Sequence, residues 1–237
     1  LPGFIDTHIH FPQVQVVASW GAKLLDWLSD YTFPAEAEYA NAQHSRAMAR
    51  VFCDLLTDHG TTTAVAFCSV HKSSAEALFS EAQSRNMRMI AGKTMMDRNA
   101  SPTVHDTAQS SYDDSTALIA QWHGRNRLSY AITPRFAITS TPEQLEMART
   151  LAAEHPSCFI QTHLSENHAE IVETKRLYPQ ARDYLDIYES HGLLGPRTLL
   201  GHALHLEHRE VEALAATGSH PDFCPTSNLF LGSGLFD

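Results

Sequence analysis

The chain has 237 residues, of which 43% are hydrophobic and 19% are charged, as in an ordinary globular domain with a sizeable core. Its net charge of −10 argues against a nucleic acid as partner, because a phosphate backbone requires a basic surface. No apolar run approaches the roughly 18 residues that cross a bilayer, so we expect no membrane partner either.

The cysteines indicate the compartment. Cys53, Cys68, Cys158 and Cys224 are widely separated and form no C-x-x-C pair. This pattern is typical of reduced thiols in an intracellular protein rather than of a disulfide framework, and we expect a cytoplasmic location. The missing C-x-x-C also argues against the deaminase type whose zinc is bound by two neighbouring cysteines.

Short apolar runs alternate with longer amphipathic stretches along the chain. The runs predicted as strands are Gly3–His8, Thr62–Ser69, Arg88–Thr94, Ser129–Thr133, Cys158–His163, Thr198–His202 and Asp222–Pro225. The stretches predicted as helices are Ala35–His59, Ser74–Asn86, Thr107–His123, Pro142–His155, Glu166–His191 and Glu207–Thr217. Thr141, followed by Pro142 and Gln144, is a typical helix start. The alternation indicates a parallel sheet with helices packed on it.

Seven strand–helix units suit either a doubly wound sheet or a TIM-like (β/α)8 barrel that lacks its eighth strand. Such barrels need roughly 250 residues, close to the length of this chain. Polar residues collect after the predicted strands, and in a barrel those strand ends meet at one mouth, where active sites lie. We therefore predict an α/β barrel with seven strands. The residues concerned are His8, His10, His71, Lys93, Arg135, His163, Glu166, His202, His205 and Asn228.

Histidines at these strand ends suggest a metal. His8 and His10 follow an apolar run two residues apart, and because side chains alternate along a strand, both project from one face. His163 and His202 also end apolar strands, where a buried histidine needs a hydrogen bond or a metal. Three nitrogens and one open position form a catalytic zinc site, which lowers the pKa of a bound water toward neutrality.

Three other side chains are candidates for binding or proton transfer. Glu166, three residues after His163, can reach the same cavity and shuttle protons, or it can be a first-turn acid favoured by the helix dipole. Arg135, beside Phe136, suits a planar ligand that carries a carbonyl group, or it can form an ordinary salt bridge. Gln13 can both donate and accept hydrogen bonds.

Several segments carry a resemblance to a known family. The stretch from Pro2 to His10 resembles the opening barrel strand of the amidohydrolase superfamily, and more narrowly the chain resembles the guanine deaminases. D-T-H-x-H marks only the superfamily, whereas I-H-x-x-Q, T-F-P-A-E, T-P-R-F and H-x-S-E-N together are specific to guanine deaminases. The other matching segments are residues 60–63, 95–99, 201–203 and 224–229.

The resemblance implies zinc-dependent hydrolysis of guanine to xanthine and ammonia in purine catabolism, by a homodimer with one zinc ion per subunit. It implies that His8, His10 and His163 bind the zinc together with an Asp after an eighth strand. It also implies that His202 hydrogen-bonds the attacking water and that Glu166 passes a proton to the purine ring.

The same resemblance implies how the substrate is bound. Arg135 would bind the ring carbonyl, Phe136 would pack on the base, and Gln13 would contact the ring edge. A Lys or Glu that could bridge two metals is missing at the fourth strand, where Pro134-Arg135-Phe136 stands. One metal rather than two is therefore expected.

The chain departs from the family pattern at its ends. The eighth-strand Asp does not occur, since Asp237 belongs to a Gly-rich loop, and the segments of a small flanking β-sandwich are missing. We therefore expect residues 1–237 to be one metal-dependent amidohydrolase barrel domain, truncated at both ends. The seventh strand reads His220-Pro221-Asp222-Phe223, more polar than expected, and its proline removes a ladder donor.

Two other functions stay open at this point. A pterin, triazine or cytosine-type deaminase would use the same chemistry on another ring, and Arg135 and Gln13 are the residues that would discriminate between the rings. A non-catalytic metal-binding protein is the alternative of a different class, which the missing Asp allows.

Overall fold

The computed structural model describes residues 2–20 and 24–236, so Asp237 lies outside the described residues. Its strands pair only in parallel, in the order β1-β2-β3-β5-β6-β7-β8, with β4 beside β5. They are β1 (Phe4–His10), β2 (Thr61–Phe67), β3 (Arg88–Gly92), β4 (Thr94–Met95), β5 (Leu128–Pro134), β6 (Phe159–Leu164), β7 (Thr198–His202) and β8 (His220–Asp222).

Strands β3 and β4 together occupy one barrel position, interrupted at Lys93. A Cβ atom on Gly92 would lie 1.7 Å from the carbonyl oxygen of Ala131, so only glycine lets β3 approach β5 this closely. Seven barrel strands therefore follow one another in chain order. Because β3 and β4 share one position, β8 is the seventh barrel strand. The prediction of a nearly closed TIM-like barrel that lacks the eighth barrel strand is confirmed for the described residues.

Helices connect successive strands. They are α1 (Leu24–Trp27), α2 (Phe33–Ala37), α3 (Ala42–Asp58), α4 (Lys72–Ser84), α5 (Ala108–Trp122), α6 (Pro142–Glu154), α7 (His168–Leu177), α8 (Tyr184–Ser190), α9 (His208–Thr217) and α10 (Pro225–Phe230). The predicted start of α6 is confirmed, because the Thr141 hydroxyl accepts a hydrogen bond from the backbone N–H of Gln144. Within residues 2–20 and 24–236, no helix combines the length and the apolar character needed to span a membrane.

Two predicted helices are in fact interrupted. The stretch predicted as Ala35–His59 breaks at Asn41, whose side chain accepts from two backbone N–H groups and starts α3 as an N-cap. The stretch predicted as Glu166–His191 is two helices, because Pro179 prevents Tyr178 from continuing α7 and Asp183 caps α8. Local capping therefore overrode the amphipathic pattern.

The last strand lies earlier than predicted. It covers His220–Asp222 rather than Asp222–Pro225, and Pro225 instead opens α10. Proline is tolerated at Pro221 because β8 is an edge strand of the described sheet. Only Asp222 of its three residues is buried, so the strand forms without the apolar run that sequence reasoning required.

Three buried clusters stabilise the barrel, and the smallest is formed by side chains of β2, β3 and β5. The other two contain more residues. The larger lies between the sheet and the surrounding helices, and includes Tyr130 and Leu200. The smaller lies beside the carboxyl ends of the strands, where Leu28, Phe136 and Leu231 contribute. The smaller cluster therefore supplies an apolar wall to the cavity at the barrel mouth.

Candidate active site

A cavity of about 300 Å³ opens at the carboxyl ends of β1, β5, β6 and β7. Its size is at the lower end of the range for small-molecule sites. The structure brings together in its lining all eight side chains that the sequence suggested for the site, namely His8, His10, Gln13, Arg135, Phe136, His163, Glu166 and His202.

Three histidines converge at the base of this cavity. One ring nitrogen from each of His8, His10 and His163 lies within 4.8 Å of the others, and the Nε2 atoms of His10 and His163 are 2.9 Å apart. Nδ1 of His163 donates to the carbonyl of Arg135 at 2.7 Å, which leaves a lone pair on Nε2. Nε2 of His8 and Nδ1 of His10 are buried without a hydrogen-bond partner. This donor set suits a cation such as Zn²⁺.

Burial keeps these histidines neutral. It lowers the pKa of His8 to about 4, with a smaller effect from the charge of Arg135. The pKa values of His10, His163 and His202 also lie well below 6.5, mainly because of burial and then because neighbouring histidines repel a second charge. All four rings can therefore act as metal ligands or hydrogen-bond partners at neutral pH.

The ring of His8 packs against the backbone of β7. A Cβ atom on Gly201 would lie 2.3 Å from Cε1 of His8, so glycine is required there for the ring to keep its position. We expect Gly201→Ala to displace His8 and to weaken zinc binding by about 10–100-fold, as competition with a chromophoric chelator would measure.

Gly195→Ala is the matched control, because nothing lies within 4 Å of a Cβ atom at that position. Its zinc affinity should equal that of the wild type. Equal affinity of the Gly201→Ala variant would contradict the expected displacement of His8.

Tight turns after β6 and β7 aim two more polar groups at the cavity. Ser165, His202 and Ala203 have positive φ angles of 46°, 70° and 47°, which residues other than glycine rarely adopt outside functional sites. Nε2 of His202 lies 3.3 Å from Oε2 of Glu166. Nδ1 of the same ring is 2.9 Å from the amide nitrogen of Asn228. The histidine is therefore held on one side and faces the carboxyl group on the other.

Glu170 fixes the backbone at Glu166 through hydrogen bonds, a role that the sequence analysis did not identify. Its carboxylate accepts from the backbone N–H groups of Glu166 and Asn167 at 2.9 and 3.1 Å, and from the hydroxyl of Tyr184 at 2.7 Å. The N-x-x-E spacing from Asn167 to Glu170, a capping box, was the available signal. Burial, then repulsion from Glu170, raises the pKa of Glu166 to about 8.

This raised pKa makes the stability of the metal-free protein depend on pH. A carboxyl group whose pKa rises from 4.5 to about 8 on folding binds its proton more tightly in the folded state, so its contribution to stability is lost as the pH rises through that window. Glu166→Gln cannot ionise. We expect its advantage over the wild type in unfolding free energy to grow by up to about 1.4 kcal/mol per pH unit.

Urea denaturation of the two metal-free proteins between pH 4.5 and 8 measures this difference. An advantage that stays constant across the range would contradict the prediction.

Arg135 forms a buried ion pair with Glu36, a partner that the sequence analysis did not identify. Its Nη1 donates to both carboxylate oxygens of Glu36 at 2.8 Å, and the two side chains are 2% and 0% exposed. The ring of Phe33 lies below the guanidinium, with 5.3 Å from Cζ to the ring centroid. Both partners belong to the T-F-P-A-E segment of the sequence, Thr32 to Glu36. The ion pair fixes the Arg135 fork at the cavity wall.

Three other polar residues at the strand ends do not line this cavity. Lys93 forms a buried ion pair with Asp106 at 2.5 Å, and Nε2 of His71 lies 3.0 Å from the carbonyl of Thr103. His205 is 2.9 Å from the carbonyl of Ser233. These three residues therefore make structural contacts beside the site.

Comparisons with known proteins agree with this arrangement. Guanine deaminase of Escherichia coli (strain K12) is 52% identical over 237 residues, which are 100% of this chain and 54% of that protein. The solved structure of E. coli guanine deaminase matches with a TM-score of 0.98 at 52% identity and covers 100% of this chain and 55% of its own.

The crystal structure of guanine deaminase from C. acetobutylicum with bound guanine in the active site matches with a TM-score of 0.93 at 30% identity, over 100% of this chain and 57% of its own. The chain thus spans about half the length of these relatives. A profile of the amidohydrolase family matches residues 1–237. The chain belongs to the amidohydrolase family.

Proposed function

We propose that this chain forms the catalytic barrel of a zinc-dependent guanine deaminase, which hydrolyses guanine to xanthine and ammonia in purine catabolism. The observation that carries the proposal is one cavity lined by three converging histidines, a buried carboxyl group and a fixed guanidinium. The relative from C. acetobutylicum, which holds guanine in its active site, supports the choice of substrate.

The residues present suit one zinc ion per subunit, held by His8, His10 and His163. Nε2 of His8 is buried without a partner, and such an orphaned atom is costly unless a ligand satisfies it. The Nε2 atoms of His10 and His163 face each other at 2.9 Å beside it. A zinc ion bound there would supply an activated water, because zinc lowers the pKa of a bound water toward neutrality. His163 is already oriented for this role by its bond to the Arg135 carbonyl.

The other side chains divide proton transfer and binding between them. Glu166, with its pKa raised to about 8, is protonated near neutral pH in the metal-free site and can deliver a proton to a ring nitrogen. His202, beside it, would orient the attacking water. Arg135 would donate to the ring carbonyl, Phe136 would pack on the base, and Gln13 would contact the ring edge.

Assembly and location are also part of the proposal. We place the protein in the cytoplasm as a homodimer. The four cysteines are free in the structure, which agrees with a reducing compartment. The dimer rests on the resemblance to the guanine deaminases.

The decisive experiment incubates the full-length gene product with guanine and follows xanthine formation, with zinc content measured on the same sample. Turnover that is lost on chelation and restored by Zn²⁺ supports the proposal. Turnover of a pterin, a triazine or cytosine but not of guanine would overturn guanine as the substrate, while the proposed hydrolytic deamination would stand. Bound zinc without turnover of any of these compounds would favour the non-catalytic alternative.

A further inference from the structure

A second group of metal-ligating side chains shares His8 with the three-histidine cluster. One ligand atom from each of His8, His202 and Cys224 lies within 4.8 Å of the others. The three residues come from β1, from β7 and from the position that precedes α10, so separate elements of the fold fix them. The rings of His8 and His202 meet edge-on, with centroids 5.1 Å apart.

Each member of this group can offer a ligand atom to the cavity. Nε2 of His8 is buried without a partner. The buried amide of Asn228 holds Nδ1 of His202 and can present its oxygen or its nitrogen, so it can stabilise the tautomer that leaves a lone pair on Nε2. Cys224 is a free thiol in the cavity lining. The position therefore combines two imidazoles with one sulfur.

We propose that His8, His202 and Cys224 form an alternative cation position that selects soft divalent metals such as Cd²⁺. Thiolate ligands favour soft cations, whereas the three-histidine cluster contains nitrogen alone. Both positions need His8, so a cation in one competes with a cation in the other. A cation in the sulfur-containing position would also take Nε2 of His202 away from Glu166, which predicts inhibition.

The inference rests on the metal centre proposed above, and a titration with Cd²⁺ alone tests it. Cd²⁺ is added to the metal-depleted full-length gene product while the ultraviolet charge-transfer band of cadmium thiolate is recorded. We expect the band to saturate at one thiolate per subunit. Cys224→Ser should abolish the band and weaken Cd²⁺ binding by about 10–100-fold, while zinc affinity changes by less than about threefold.

Cys53→Ala is the matched control, because Cys53 is wholly buried in α3, and this variant should keep the band. Cd²⁺ bound without the band, or a band that survives in Cys224→Ser, would overturn the alternative position and leave the three-histidine centre standing. Failure of Cd²⁺ and Zn²⁺ to bind at all would overturn both.

Discussion

Replacing Glu166 by Gln is expected to lower kcat for guanine by about 10²–10⁴-fold, the usual contribution of a positioned proton-transfer group. The amide keeps the shape of the side chain and can still accept from the hydroxyl of Ser233. It cannot carry the proton that the reaction moves. Steady-state kinetics of the zinc-loaded full-length protein, with zinc content determined for each sample, measures the effect.

Glu173→Gln is the control for the Glu166 variant, because it changes the same residue type on the neighbouring helix α7, outside the cavity lining. Its kcat should equal that of the wild type. If Glu166→Gln retained full turnover with zinc bound, proton transfer through Glu166 would be ruled out.

The second large effect is expected for the buried ion pair between Arg135 and Glu36. Replacing either residue alone by Met should lower the unfolding free energy by about 3–5 kcal/mol, because an uncompensated charge stays buried. The double variant Glu36→Met with Arg135→Met should be more stable than either single variant, since it buries no unpaired charge. Urea denaturation of the wild type, the two single variants and the double variant at one pH completes this double-mutant cycle.

The cycle also separates stability from substrate binding. If the double variant is destabilised by the sum of the two single effects, the two side chains do not act as a pair. A double variant that folds should still turn guanine over poorly, because it lacks the fork that would bind the ring carbonyl. Unchanged guanine kinetics would contradict the role of Arg135 in binding the ring carbonyl.

Much of the barrel could be predicted because its signals are local. Each apolar run and each amphipathic stretch is short, and the alternation of the two indicates a parallel sheet without knowledge of any contact. The end of the chain was less well predicted. The last strand begins at His220, two residues before its predicted start at Asp222. An edge strand needs no apolar run, so its sequence pattern is weak.

The candidate site divides in the same way. His8, His10, His163 and Glu166 could be proposed because they stand directly at strand ends or within three residues of one. Glu36 could not be recognised as the partner of Arg135, since 99 residues separate the two. Glu170 and Asn228 were likewise missed in their roles of holding Glu166 and His202.

The sequence by itself determined the order of strands and helices and the pairing of His8 with His10, because both follow from the period of side chains along a strand. Only the tertiary structure decided which distant groups meet. The curvature of the sheet and the packing of the loops on it bring Glu36 to Arg135 and Cys224 to His8. It also decided the charge states, because the burial that raises the pKa of Glu166 and lowers that of His8 exists only once the barrel has formed around them.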